Sequence, residues 1–119
     1  MKTLLIVYHS HTGGTRQMAE AAAGAARAQD GVAVRLLRAP EAGCDDLLAA
    51  DGYLFAAPEN LAAIAGLMKD FFDRCYYPAL ERIQGRPYAA MVCAGSDGSH
   101  ALRQIARIAT GWRLKPIAP

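Results

Sequence analysis

The sequence predicts an α/β protein: three layers, with a five-stranded parallel sheet between helices. Three observations predict it. Short apolar runs alternate with helical segments from end to end; the first run, Leu4-Leu5-Ile6-Val7-Tyr8, is continuously apolar, as a strand buried on both faces should be. The connections are short, which argues for right-handed βαβ units. The composition is that of a globular protein: 119 residues, 53% hydrophobic and 20% charged, enough for one core.

The first strand stops at the polar, Gly-containing segment Ser10-His11-Thr12-Gly13-Gly14-Thr15. A helix is expected over Arg16 to Ala28, Ala-rich and ended by Asp30-Gly31. The second strand is Val32 to Leu37, followed by a weak helix over Asp45 to Ala50. Tyr53 to Ala57 is the third strand, closed by Pro58. Asn60 is the expected cap of the next helix, with Leu61, Ile64, Leu67, Met68, Phe71, Phe72 and Cys75 as its apolar stripe and an end before Pro78. Tyr88 to Cys93 is the fourth strand. Ser99 can cap a helix in which Leu102, Ile105, Ala106 and Ala109 share a face and which stops at Gly111; Trp112 to Ile117 starts the fifth strand. The whole chain, 1–119, reads as one domain.

Ligands of such sheets bind beyond the carboxyl ends of the strands, where strand order reverses. That directs attention to three loops. After strand 1, Ser10, Thr12 and Thr15 offer hydroxyls, Gly13 and Gly14 let the backbone close on a ligand, and the helix start presents unpaired N–H groups. This describes a phosphate cradle, although alone it also reads as a Gly turn with a Thr cap. The Lys-containing P-loop pattern and the dinucleotide GxGxxG are both absent. After strand 3, Pro58-Glu59-Asn60-Leu61 puts polar groups where a flat ring's edge can meet them, or else is a Pro stop and an Asn cap. After strand 4, Ala94-Gly95-Ser96-Asp97-Gly98 suits a backbone wrapped closely around a ligand, or a tight turn. All three loops fall at one end of the sheet, and together they describe a site for a phosphorylated, flat cofactor.

These residues carry a resemblance. Ser10-His11-Thr12-Gly13-Gly14-Thr15 resembles the SxTGxT phosphate loop of flavodoxin-like proteins. Ala57-Pro58-Glu59-Asn60, with Gly66-Leu67-Met68-Lys69-Asp70-Phe71-Phe72-Asp73-Arg74, is similar to the TPEN…KDFFDR stretch of the flavodoxin and NADPH-dependent FMN reductase superfamily, and Gly95-Ser96-Asp97-Gly98 to its third FMN loop. The resemblance implies strand order 2-1-3-4-5 and FMN as cofactor. Ser10, His11, Thr12, Gly13, Gly14 and Thr15 would hold its phosphate. Pro58, Glu59, Asn60 and Leu61 would border one side of the ring, and Ala94, Gly95, Ser96, Asp97 and Gly98 the other. It implies an oxidoreductase passing electrons from NAD(P)H through FMN to a small acceptor such as a quinone or flavin, with a flavodoxin-type electron carrier as the alternative. No catalytic side chain is assigned. His100 is a candidate proton donor near the ring or an exposed helix-start residue.

The sequence departs from that family at Leu61-Ala62-Ala63, where many relatives carry an aromatic near the ring. It also stops at Pro119, before the family's usual last helix, which leads to the expectation that a homo-oligomer or a longer natural chain covers the apolar face left beside helix 1, Leu114 and Ile117 included. Net charge is +2 and the isoelectric point about 8.5. The charge is too small and scattered for nucleic acid, and its sign counts against a carrier steered to basic partners. Cys44, Cys75 and Cys93 form no CxxC pair, so no disulfide framework and no metal site are expected. No apolar run has the length of a membrane span, and a cytoplasmic location is expected.

Overall fold

A computed structural model describes residues 2–10, 13–60, 63–64, 66–93 and 98–117, with the backbone alone at Asn60, Ala63 and Ile64. The elements are β1 (Lys2–Tyr8), α1 (Gly14–Arg27), β2 (Val32–Arg38), a 3-10 turn (Ala39–Glu41), α2 (Cys44–Ala49), β3 (Gly52–Asn60), β4 (Ala63–Ile64), α3 (Gly66–Ala79), β5 (Pro87–Cys93), α4 (Ser99–Gly111) and β6 (Lys115–Pro116). The main sheet is parallel, in the order β2-β1-β3-β5-β6. With the short β4 set aside, this is the expected order 2-1-3-4-5.

Alternate residues of each strand serve two cores. Leu5, Val7, Tyr53, Phe55 and Ala57 face the larger one, which α2, α3 and α4 close with Leu47, Met68, Phe71, Phe72, Ile105 and Trp112. Phe55 is its centre, with ring centroids 5.2 Å from Phe72 and 6.3 Å from Phe71 and Tyr88. The opposite face packs Ile6, Tyr8, Leu54 and Ala56 against Ala19 and Ala23 of α1. Those alanines bring α1 close to the sheet. Toward β5 this face is more open, and Ala89 and Met91 are half-buried.

Several expectations are corrected. β3 does not close at Pro58. It runs on to Asn60, and Glu59 and Asn60 turn back to pair antiparallel with Ile64 and Ala63. Asn60 is therefore a strand residue, not a helix cap, and Ile64 is not on the helical stripe. α3 starts at Gly66, and its buried residues are Met68, Phe71, Phe72, Cys75 and Ala79. Leu67 falls one position off that stripe and is exposed. α3 also continues through Pro78, because proline's fixed φ is helical and its missing N–H costs one bond in a last turn.

α4 is rotated from the expected phase. It buries Ala101, Ile105 and Ala109 and exposes Leu102 and Ala106. Its cap is Gly98 rather than Ser99. Trp112 is not a strand residue: it ends α4, is buried, and donates its indole N–H to the Tyr76 carbonyl at 2.9 Å. Leu114 lies in the larger core rather than on the open face; Ile117 is exposed.

Candidate functional site

β1, β3 and β5 are adjacent and parallel, with Tyr8 opposite Ala56 and Pro58 opposite Cys93. Their carboxyl ends therefore deliver the three loops singled out in the sequence to one edge of the sheet. From β1 the chain leaves to β2 on one side and returns to β3 on the other, so the strand order reverses between β1 and β3, the place where sheets of this kind offer a crevice to a ligand.

The first loop is anchored before the helix begins. The His9 N–H donates to the Ala56 carbonyl at 3.1 Å, and the Gly13 N–H donates to Ser10 Oγ at 3.0 Å. Gly13 then caps α1 with φ 96°, and Gly98 caps α4 with φ 74°. α1 and α4 thus each begin with a residue in the left-handed region, which only glycine enters without strain. At Gly14 the constraint is contact: a Cβ there would lie 3.2 Å from Cys93 Sγ. The last residue of β5 is thereby packed on the first residue of α1, joining the first loop to the start of the third.

The first-turn N–H groups of α1 have no partners within the helix, and no acidic residue lies in that turn. Thr15 is the buried polar residue of the described chain, 3% exposed, one position inside α1. Unpaired amides at a helix start, a glycine pair without side chains and an adjacent hydroxyl fit a phosphate. A Cβ at Gly14 would crowd that cradle against Cys93.

Around the crevice, Pro58 and Glu59 are half-buried at the end of β3, and Gly98 is buried. Glu59 Oε2 accepts the Ala101 N–H at 2.8 Å, which ties the second loop to the first turn of α4. The described residues thus bring Ser10, Gly13, Gly14, Thr15, Pro58, Glu59 and Gly98 to one edge, with the Asn60 backbone. His11, Thr12, Leu61, Ala94, Gly95, Ser96 and Asp97 lie outside the described residues. His100 is exposed on α4.

Sequence reasoning missed two features. One is the Gly14–Cys93 contact, which needs the β5 register to be known. The other is a row of His100, Arg103, Gln104 and Arg107 lining a cavity of about 250 Å³ on the outer side of α4. Their i, i+3, i+4, i+7 spacing was legible, but its meaning depended on the phase of α4. Among the described residues, no group of His, Cys, Asp and Glu is arranged to hold a metal, and no helix is long and apolar enough to cross a membrane.

Known proteins share this architecture. The chain is 36% identical to a flavodoxin from Aquifex aeolicus over 98 residues, 82% of this chain and 53% of that protein. It is 35% identical over 94 residues to an NAD(P)H dehydrogenase (quinone) from Acidithiobacillus ferrooxidans, 62% of this chain and 47% of that one. The chain thus spans about half the length of these relatives. A solved flavodoxin from the domain Archaea superposes with a TM-score of 0.86 at 23% identity, over 98% of this chain and 79% of that one. The sequence model of the NADPH-dependent FMN reductases matches residues 39–118, from the end of β2 through the second and third loops to the last strand; the chain belongs to that family.

Proposed function

We propose that this chain binds FMN and works as an oxidoreductase, taking electrons from NAD(P)H and passing them to a small acceptor such as a quinone or a flavin. The observation that carries the reading is the cradle at the start of α1, set where strand order reverses and joined by Cys93 to the loop after β5. Bound there, FMN would supply hydride acceptance and electron transfer, the chemistry that protein side chains lack. The chain's own residues supply position. The α1 amides, Ser10 and Thr15 hold the phosphate; the loops after β3 and β5 border the ring; and the Glu59–Ala101 bond fixes the distance between the second loop and α4. No dedicated acid or base is needed. Membership of the reductase family and the quinone dehydrogenase relative support this reading.

The Aquifex flavodoxin supports a second reading, an electron carrier serving a protein partner. The net charge of +2 weighs against it.

Two measurements test these readings. FMN should be quenched on binding and held more tightly than riboflavin, because the cradle contacts the phosphate. Equal affinity for the two would refute the cradle. The FMN-loaded protein should then oxidise NADPH when a quinone is supplied. FMN binding without such turnover, but with electron exchange to a redox protein, would favour the carrier.

A further inference from the structure

The charge of this chain is unevenly placed. From Gly98 onward the sequence contains Arg103, Arg107, Arg113 and Lys115 and no Asp or Glu, so the rest of the chain is net negative. On α4 the cations share one outer stripe, with Ala101, Ile105 and Ala109 buried on the other side. His100, Arg103, Gln104 and Arg107 line a cavity of about 250 Å³. The stripe rises about 10 Å along the helix from His100 to Arg107. Its near end is fixed at the crevice, because Gly98 ends the third loop and the Ala101 N–H is held by Glu59 at 2.8 Å.

The two arginines are placed for an anion. Arg103 folds back toward the crevice, its Nε donating to the Ser99 carbonyl at 3.3 Å and its Nη2 to Ser99 Oγ at 3.2 Å. This orients the guanidinium and leaves further N–H groups for a ligand. Among the described residues neither Arg103 nor Arg107 pairs with a carboxylate.

We infer that the His100–Arg107 face of α4 binds the phosphate-bearing half of the nicotinamide dinucleotide, with Arg103 and Arg107 as the phosphate ligands. The inference rests on the reading above that reduced nicotinamide is the electron donor. A dinucleotide whose nicotinamide ring lies in the crevice must lay its phosphates along a neighbouring surface, and α4 is the cationic surface that begins there. Planar guanidinium groups suit phosphate oxygens. A protein partner fits the face less well: protein interfaces bury about 800 Å² per side around an apolar centre, and the described residues that line the cavity are all polar.

The test uses adenosine 2′,5′-bisphosphate as probe, titrated calorimetrically into the parent chain and into an Arg103→Gln/Arg107→Gln double variant. FMN quenching and circular dichroism are recorded on both. Both substitutions are on exposed positions, so the fold and FMN binding should be unchanged. The parent should bind the probe, more weakly as salt rises, and the variant should bind it at least tenfold less tightly. Equal binding by the two, or none by the parent, overturns the inference. So does a parent that ignores the probe but binds poly-glutamate in a manner the double variant loses, since the face would then serve an acidic protein. FMN binding without probe binding removes this inference alone. Probe binding without FMN binding removes the cofactor reading and leaves the phosphate site standing.

Discussion

Glu59 and Ala101, 42 residues apart, are joined by a 2.8 Å hydrogen bond from the Ala101 N–H to the Glu59 carboxylate. Ala101 is the third residue of α4, so its N–H is one that the helix itself cannot satisfy. Glu59 thus caps a helix from a distant strand, and its negative charge lies at the favourable end of the helix dipole. Replacing Glu59 with Ala should lower stability by about 0.5–2 kcal/mol, the usual cost of a lost cap. Glu59→Gln keeps an acceptor and should recover most of the loss. Urea denaturation of the three proteins checks this; identical midpoints for Ala and parent would refute the capping role.

The left-handed conformation of Gly13 gives a second expectation. Its φ of 96° is costly for any residue with a Cβ, by about 1–2 kcal/mol. Gly13→Ala should therefore be destabilised by roughly that amount. It should also lose FMN affinity, because relief of the strain moves the N–H that Ser10 Oγ now accepts. Gly24→Ala, in the same helix and with open space around it, should gain a few tenths to about 1 kcal/mol instead. Fluorescence quenching and thermal melts of both variants separate the outcomes. Unchanged FMN binding in Gly13→Ala would place the phosphate elsewhere.

Most of the fold was legible because its signals are local. Leu4 to Tyr8, Tyr53 to Ala57 and Tyr88 to Cys93 are short apolar runs, and each lies within a strand of the sheet. The errors share one cause: they depend on partners distant in sequence. Asn60 has a good cap residue's chemistry, but the segment after it pairs back on β3, which a single sequence does not announce. The phase of α4 was misread in part because alanine fits either side of a helix: Ile105 and Ala109 are buried as expected, but the sheet accepted Ala101 in place of Leu102 and Ala106. The loops of the candidate site were found from Gly, Ser and Thr content. What each side chain touches, as with Glu59 and Cys93, follows from strand register.

Alkaline pH should weaken the fold. Burial pushes the Cys75 thiol from its ordinary 9.0 up to about 11, and burial also raises the Tyr53 phenol, against the pull of Arg86. In the unfolded chain the thiol ionises near 9, while in the folded chain it stays protonated until about 11. The folded state then holds more protons, so this stability is intact below pH 9 and is lost as pH rises from 9 toward 11. The urea midpoint should fall between pH 8 and pH 10.5, and by less in Cys75→Ala. A midpoint that falls equally in both would remove Cys75 as a cause. In the folded protein Cys75 should also resist alkylation at pH 8.

The charged residues of α3 look alike in sequence but do different work. Lys69 pairs with Asp73 at 2.6 Å, and Arg74 pairs through Nε with Asp70 at 2.8 Å; all four are exposed. Pairs of this kind contribute about 0.3–0.5 kcal/mol. Arg74 does more. Its Nη1 donates to the Ala42 carbonyl and its Nη2 to the Ala39 carbonyl, each at 3.0 Å. These bonds fasten the 3-10 turn after β2 onto α3, beside the buried Ala39 and Ala42. A lysine cannot make both bonds while also reaching Asp70, because it lacks the planar fork. Arg74→Lys should therefore lose about 1.5–3 kcal/mol, the range for hydrogen bonds to a charged group. Asp73→Ala should stay within about 0.5 kcal/mol of the parent. Equal losses for Arg74→Lys and Asp73→Ala in urea would reduce Arg74 to one more surface ion pair and leave the turn held by its buried alanines alone.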